Sequence, residues 1–294
     1  MILQKIKSQQ LLKECPDWLP DNTHYLVQMG SVAYGVSSDE SDTDLYGFAI
    51  PRKDEIFPHL KGEILGFGQP YKPFESWQEH HIIDPSTNKE YDFAVYSIVK
   101  FFDLCMENNP NMIDALFVPE RCINHITSIG QMVRDNRKMF LHKGCWPRFK
   151  NYAYRQMHKM EIKQAHGKRK ELVEKYGYDV KFAYNCPRLL SEVEQILTEG
   201  DLDLQRNREQ LKAIRRGEWT KVQLYDYFND KEKQLEEVYN RSDLPALPNV
   251  PKIRALLIDC LEHHFGSLGN ALVIPGRLEE TLREIEVLCQ KALK

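Results

Sequence analysis

Short apolar runs alternate with polar turns over the first 120 residues, a pattern typical of buried strands. After Tyr96 the apolar spacing becomes helical, and Asn108-Asn109-Pro110 should end that helix. The stretch Pro51–Asp84, rich in Pro, Gly and aromatic residues, leaves two alternatives open: a strand pair, or a flap over a site. Three apolar runs predict strands: Tyr25–Met29, Asp44–Ile50 and Tyr91–Val95.

Beyond residue 121 the apolar residues follow helical spacing almost throughout. Pro187 should kink or split the helix that contains it. The pattern therefore predicts an α/β (α+β) chain, with a small mixed-sheet domain over 1–120 and a largely helical domain over 121–294. Predicted helices are Ile126–Phe140, Arg148–Tyr176, Asp179–Leu197, Leu204–Arg216, Lys221–Tyr239, Pro251–Phe265 and Leu278–Leu293.

Composition narrows the class of protein. The formal net charge of −3 over 294 residues excludes a strongly basic nucleic-acid binder, so any polyanion must meet a local patch. Without a run of ~20 apolar residues, no membrane span is expected. Seven scattered cysteines without a Cys-x-x-Cys favour a reducing cytoplasm over a disulfide framework or zinc site. The pairs His80-His81 and His263-His264 are expected on the surface.

The segment Met29–Gly35 carries the first chemical signal. Gly30 ends the first strand without a side chain, which lets a ligand approach the backbone closely. Ser31 is a good helix N-cap, and a short helix is expected from Val32. The free N–H groups of a helix start favour phosphate, and the Ser31 hydroxyl adds a donor. Gly30 and Ser31 are therefore predicted to bind the phosphates of a nucleotide.

Carboxylates supply the second signal. Asp42 and Asp44 stand two residues apart, so they share a strand face, and they repel each other unless a cation lies between them. Mg²⁺ prefers such oxygen ligands, and two ions can hold the attacking and leaving oxygens of a displacement. Asp92 is the predicted third ligand and candidate base for the incoming hydroxyl, with Glu90 as the alternative. The pattern favours nucleotidyl transfer with two Mg²⁺ ions, for which Mn²⁺ can substitute.

These residues resemble the DNA-polymerase-β-type nucleotidyltransferase superfamily, whose signature is Gly-Ser, then Asp-x-Asp, then a separate carboxylate. Within this superfamily, the sequence motifs more closely resemble those of the RNA repair pathway (RlaP) family. The matching pieces are Gly30-Ser31-x-Ala33-Tyr34-Gly35, Ser41-Asp42-x-Asp44, Asp92 with Tyr96-Ser97 and Lys100-Phe101, Asn109-Pro110 with Leu116-Phe117-x-Pro119, and Tyr176-Gly177-Tyr178-Asp179-x-Lys181-x-Ala183 with Arg188-Leu189.

The resemblance implies transfer of a nucleoside monophosphate from an NTP, ATP among them, with release of pyrophosphate. It favours an RNA 3′ end as acceptor. It also supports Lys181 and Arg188 as triphosphate ligands, seven residues apart on one face of an unbroken helix; an exposed pair is the alternative. Asn185 stands where the family pattern has His, so any acid–base role of that His is not carried over.

Two clusters of basic residues bear on the acceptor. One face of the Arg148–Tyr176 segment is basic, with Phe149, Tyr152 and Tyr154 nearby to stack on bases. Its alternative is a solvated face balanced by glutamates, with the aromatics in the core. Two rival functions stand beside RNA: transfer to a protein or small molecule, and a non-catalytic, antitoxin-like module. The clusters are Arg155, Lys159, Lys163, His166 and Lys170, and Arg206, Arg208, Lys212, Arg215 and Arg216.

Overall fold

A five-stranded mixed sheet forms the centre of the fold. The computed structural model describes residues 1–37, 43–64, 66–68, 71–162, 168–271, 281–282, 285–286 and 288–290. The spatial strand order is β3-β4-β2-β1-β5, in which only the β2–β4 pair is parallel. The strands are β1 (Thr23–Gln28), β2 (Thr43–Ala49), β3 (Ser76–Asp84), β4 (Lys89–Ser97) and β5 (Ile123–Ile126).

The three predicted strands are confirmed as β1, β2 and β4. Pro51–Asp84, left open by the sequence, contains a short helix and strand β3, which pairs antiparallel with β4. Ile126, predicted to begin a helix, instead ends β5, which pairs with β1 and lies beyond residue 120. The division of the chain at residue 120 remains a prediction.

Helices surround the sheet and make up most of the chain after β5, so the α+β class is confirmed. Among the described residues, no helix is both long and apolar enough to cross a membrane. The helices are α1 (Ile2–Ser8), α2 (Lys53–Ile56), α3 (Ile98–Met106), α4 (Pro110–Phe117), α5 (Ser128–Asp135), α6 (Cys145–Ile162), α7 (Lys168–Tyr176), α8 (Val180–Ala183), α9 (Asn185–Glu199), α10 (Arg208–Arg215), α11 (Lys221–Arg241), α12 (Val250–Phe265) and α13 (Leu268–Ala271).

Strand alternation sends apolar side chains into two separate cores. Tyr25 and Phe48 face a large core shared with α3, α4, α6 and α9. Leu26 and Phe93 face a smaller one, which α1 closes from the other side of the sheet. Because successive strand residues point to opposite faces, the same strands can carry functional groups on the helix-covered side.

Two long predicted helices are divided in the structure. The Asp179–Leu197 helix is split at Tyr184 into α8 and α9, three residues before Pro187. Pro187 itself lies in the first turn of α9, where a missing N–H leaves no intrahelical bond unmade. The Arg148–Tyr176 segment begins three residues earlier, as α6, and its second part is α7; residues 163–167, with Lys163 and His166, lie outside the described residues.

A histidine contact attaches the end of α12 to the sheet. His24 Nε2 lies 3.0 Å from His264 Nδ1, and His24 Nδ1 lies 2.9 Å from Thr127 Oγ1. His263 is exposed, as predicted, but contacts Ser128 Oγ at 3.0 Å. His264 is half-buried and has a lowered pKa because burial disfavours its charged form. The surface prediction is therefore wrong for His264, since α12 folds back against β1.

Acidification should loosen this contact. Burial, with the neighbouring histidines, lowers the pKa of His24 from 6.5 to about 4. The unfolded chain then binds more protons than the folded chain, so this contribution to stability is complete above about pH 6.5 and is lost as the pH falls towards 4. We expect a loss of up to about 3 kcal/mol in the free energy of unfolding, measured by urea denaturation at stepped pH.

The control is His59→Gln, which removes an exposed histidine and should keep the pH dependence. His24→Gln should flatten the pH dependence of the free energy of unfolding between pH 4 and 6.5, the range between the pKa values of His24 in the folded and unfolded chain. An undiminished slope in His24→Gln would contradict the assignment to His24.

Candidate active site

Two aspartates lie side by side on the face of the sheet that packs against the larger core. Asp44 of β2 and Asp92 of β4 are register partners in the parallel pair, and both are half-buried. Adjacent strands are about 4.8 Å apart, so the two side chains leave the same face as neighbours. Glu90 shares that face two residues before Asp92. We call Asp44, Glu90 and Asp92 the acidic edge; Asp42 lies outside the described residues.

Gly30 brings the backbone of the preceding turn against this edge. Its φ of +69° is in the left-handed region, and a Cβ built there would collide with Asp44 Oδ2. The Met29 N–H also donates to the Asp44 carbonyl at 2.8 Å. The positive φ and the nearby carboxylate each explain why residue 30 has no side chain. The Gly30–Ser31 turn therefore lies beside the Asp44 carboxylate.

The predicted short helix from Val32 is not formed. Residues 30–35 make a single turn, closed by Tyr34 N–H donating to the Gly30 carbonyl at 3.2 Å and Val36 N–H donating to that of Ser31 at 2.8 Å. Gly35 has a φ of +69°, which ends any continued right-handed winding. Ser31 thus belongs to a tight turn whose shape depends on what packs around it.

A bulge in β3 brings two histidines to the acidic edge. The pairing of β3 with β4 shifts between Glu79 and Ile82, and His81 has a φ of +58°. The His81 N–H donates to Asp92 Oδ1 at 2.7 Å, and its Nδ1 is hydrogen-bonded to Glu90 Oε1. His80 Nδ1 lies 3.5 Å from Asp92 Oδ2. Both histidines are exposed, as predicted, but a bulge-dependent contact leaves no signal in the sequence.

The donor set suits a divalent cation. Carboxylate oxygens are the ligands that Mg²⁺ prefers, and Asp44 and Asp92 are adjacent. His81, Glu90 and Asp92 also offer ligand atoms within 4.8 Å of one another. Asp92 lies in register with Asp44, whereas Glu90 lies one residue before the first residue of β4 that pairs with β2. This difference favours Asp92 over Glu90 as the partner of Asp44.

Tyr46 extends the site along β2, on the same face as Asp44. Burial, and then the negative charge of Asp44, raise the pKa of the Tyr46 phenol; Tyr96, Tyr152 and Asp92 act in the same direction. The hydroxyl therefore stays protonated and can donate a hydrogen bond beside the carboxylates. Tyr152 comes from α6, so the helical part of the chain reaches this edge.

Arg188 lies in a buried charge cluster rather than on an open phosphate-binding face. Its side chain is only 3% exposed, and Nη1 contacts Asp114 Oδ2 at 2.5 Å and Glu192 Oε1 at 2.9 Å. The guanidinium carbon lies 4.1 Å from the centre of the Tyr34 ring, and Tyr34 Oη donates to Asp114 Oδ2 at 2.8 Å. Arg188 thus contacts the side chain of a turn residue.

Burial raises the pKa of both carboxyl groups of this cluster. Asp114 Oδ1 is buried without a hydrogen-bond partner among the described residues, so Asp114 depends on its other oxygen for stabilisation. Because two acids share one guanidinium, Arg188 remains charged. Removing it would leave buried acids with no cation.

Lys181 and Arg188 lie on successive helices and differ in exposure. The break at Tyr184 puts Lys181 on α8, where it is exposed, while Arg188 is buried on α9. Asn185 connects the two segments: its Nδ2 donates to the Lys181 carbonyl at 2.8 Å, and its Oδ1 accepts from Arg188 Nε at 3.1 Å. The predicted helix is therefore divided at Tyr184, and the role of Lys181 and Arg188 as triphosphate ligands remains a prediction.

Two more side chains from the helical part hold the turn. Gln205 Nε2 donates to the Ala33 carbonyl at 2.9 Å, and Arg215 Nη1 donates to that of Val36. Gly35 makes room for this packing, since a Cβ there would lie 3.3 Å from Gln205 Cδ. Together with Arg188, these residues fix a turn that the sequence alone presented as independent.

Most of the second basic cluster is paired locally. Arg206 contacts Glu199, Arg216 contacts Glu218, and Lys212 contacts Glu209 at 3.0 Å. These pairs agree with a solvated face. Arg215 differs, because it donates to the turn and lies over the Tyr184 ring at 5.5 Å.

The model of one protein family matches most of the chain. The model of the RNA repair pathway DNA polymerase beta family (RlaP) matches residues 3–258. The chain is 26% identical over 113 residues to an uncharacterized 38.9 kDa protein in the nrdC-mobD intergenic region of Enterobacteria phage T4. That alignment covers 38% of this chain and 31% of the phage protein, so it spans about a third of its relative.

A solved structure of another protein also aligns along most of the chain. A nucleotidyltransferase-like protein from Exiguobacterium sibiricum 255-15 shares 11% identity, with 96% of this chain and 78% of that chain covered. Its TM-score is 0.29. The match to the family over residues 3–258 carries the assignment.

Replacing Arg188 by Met should destabilise the fold strongly. We expect a loss of about 3–5 kcal/mol, because the buried carboxyl groups of Asp114 and Glu192 lose the guanidinium that both contact. Urea denaturation followed by circular dichroism measures it. Arg206→Gln is the control, since it breaks an exposed pair and should cost at most about 1 kcal/mol. Adding Asp114→Asn and Glu192→Gln to Arg188→Met should recover much of the loss; no recovery would contradict the charge argument.

Proposed function

The chain belongs to the RNA repair pathway DNA polymerase beta family and is a nucleotidyltransferase, and on that premise we propose that it transfers an NMP from an NTP to an acceptor hydroxyl in a metal-dependent reaction. We propose an RNA 3′ end as the acceptor. The observation that carries the proposal is the register pairing of Asp44 with Asp92, beside a turn in which a Cβ at Gly30 would collide with the Asp44 carboxylate.

The donor half of the reaction is assigned to the turn and the acidic edge. Gly30 and Ser31 would hold the triphosphate through backbone N–H groups and the Ser31 hydroxyl. Asp42, Asp44 and Asp92 would hold Mg²⁺ or Mn²⁺, which when bound supplies positive charge to the triphosphate and the acceptor oxygen. Lys181, exposed on α8, remains a proposed triphosphate ligand. Arg188 would act indirectly, because it positions the Tyr34 ring of the turn.

The chemistry is an in-line displacement. The acceptor oxygen forms a bond to the α-phosphorus while the bond to the bridging oxygen breaks, and pyrophosphate leaves with that electron pair. Asp92 takes up the proton of the acceptor hydroxyl. The protein contributes mainly position and charge, so the fixed turn and the paired carboxylates are the parts that matter most.

The proposed setting is a reducing cytoplasm. All seven cysteines are free thiols, and burial raises the pKa of several of them, including Cys105, Cys145 and Cys186. Such thiols are unreactive and pack as small apolar side chains. They need no oxidising environment for the fold.

Asp44→Asn should reduce turnover by about 100-fold or more, the scale of losing one electrostatic partner of a transition state. The assay follows label from an α-labelled NTP into RNA, protein and small-molecule acceptors with Mg²⁺ or Mn²⁺. Asp103→Asn, on the exposed side of α3, is the control and should retain turnover. Full activity in Asp44→Asn would overturn the assignment of the acidic edge.

Asp92→Asn and Glu90→Gln separate the two candidates for the third carboxylate. We expect Asp92→Asn to lose turnover to the same degree as Asp44→Asn, because Asp92 is the register partner of Asp44. Glu90→Gln should retain most of it. The reverse order of activities would assign the role to Glu90.

A further inference from the structure

A polar cavity opens where α6 meets the start of α4. Its volume is about 220 Å³, and asparagines and arginines dominate its lining. Pockets that enclose a drug-sized ligand are about 300–1,000 Å³, so this one suits one nucleotide unit of a longer chain. We call it the asparagine pocket; the residues used below are Asn109, Asn111, Arg148, Asn151, Tyr152 and Arg155.

The asparagine pocket is connected through α4 to the turn at Gly30. Tyr152 lines the pocket from α6, and Asn111 lines it from α4. Asn111 lies one helical turn before Asp114, whose carboxylate accepts from Tyr34 of the Gly30–Ser31 turn. The same helix therefore lines the pocket and holds the turn that lies beside Asp44.

One face of α6 supplies the groups that a nucleic acid needs. Arg148, Asn151, Tyr152 and Arg155 follow the spacing i, i+3, i+4 and i+7, so they lie on one face. Arg155 is exposed and makes no ion pair within the described part of the chain. Arg148 is paired only with Glu107, at 3.3 Å and with both side chains about half exposed, a pair worth little in water.

We propose that the asparagine pocket binds the terminal nucleotide of a single-stranded RNA acceptor, a step that rests on the proposed function. Arg148 and Arg155 contact successive phosphates. Seven residues span about 10.5 Å along the helix axis, which is too long for both guanidinium groups to contact one phosphate. Asparagine amides offer both donors and acceptors to base edges, and Tyr152 offers a ring for stacking.

A protein acceptor fits this lining less well. The two arginines against Glu107 leave the pocket positive, and Pro110 is its one wholly apolar side chain among the lining residues. A polyanion gains from such a surface, whereas a protein segment would need apolar contacts to bury.

Equilibrium binding of a 5′-fluorescein single-stranded RNA with a free 3′ hydroxyl tests the pocket without turnover. Arg155→Gln should weaken binding several-fold and lower the slope of log K against log salt by about 1. Asn151→Ala should weaken it at all salt concentrations. Arg241→Gln is the matched control, because it removes an exposed guanidinium from α11 and should leave RNA binding unchanged. Thermal unfolding and binding of ATP with Mg²⁺ should match the wild type in all three.

Other results of these binding measurements would overturn either the assignment of the asparagine pocket or the proposed function. Wild-type RNA binding that Arg155→Gln and Asn151→Ala leave unchanged overturns the pocket, as does absence of RNA binding at low salt. Weakened ATP binding with intact RNA binding assigns the pocket to the donor nucleotide instead. RNA binding that depends on the pocket, in a protein that transfers no label to any acceptor, overturns the proposed function but leaves the pocket.

Discussion

The buried contact of Arg188 with Asp114 and Glu192 joins α9 to α4 and to the turn after β1. Asp114 comes from α4, Arg188 and Glu192 come from α9, and Tyr34 comes from the turn after β1. Buried acids are costly unless they are paired, so these segments cannot separate without exposing unmet charge to an apolar core. The position of the turn relative to α9 follows from that constraint.

The turn is therefore held by side chains far away in sequence. Arg188, Gln205 and Arg215 contact Tyr34 or the carbonyls of Ala33 and Val36. A six-residue turn bounded by left-handed glycines has few internal bonds to keep its shape. Outside support keeps Gly30 beside the Asp44 carboxylate, which is the arrangement that the proposed phosphate and metal binding would need.

Local patterns in the sequence were sufficient for the parts of the site that depend on strands. Alternation predicted β1, β2 and β4, and the parallel register of β2 with β4 then places Asp44 beside Asp92. Contacts between distant segments were not predictable in this way. The burial of Arg188 depends on two acids remote from the turn it supports, and the placement of His81 depends on a bulge. Neither leaves a periodic signal in the chain.

A chain synthesised from its N-terminus makes the turn long before the residues that support it. Tyr34 and Gly35 leave the ribosome about 150 residues ahead of Arg188, a lag of roughly eight to thirty seconds at ~5–20 residues per second. Until α9 and α10 dock, the turn lacks its outside contacts and Asp114 lacks its cation. Because nucleotide binding would need the turn in its final shape, a chain whose synthesis is incomplete would not bind nucleotide.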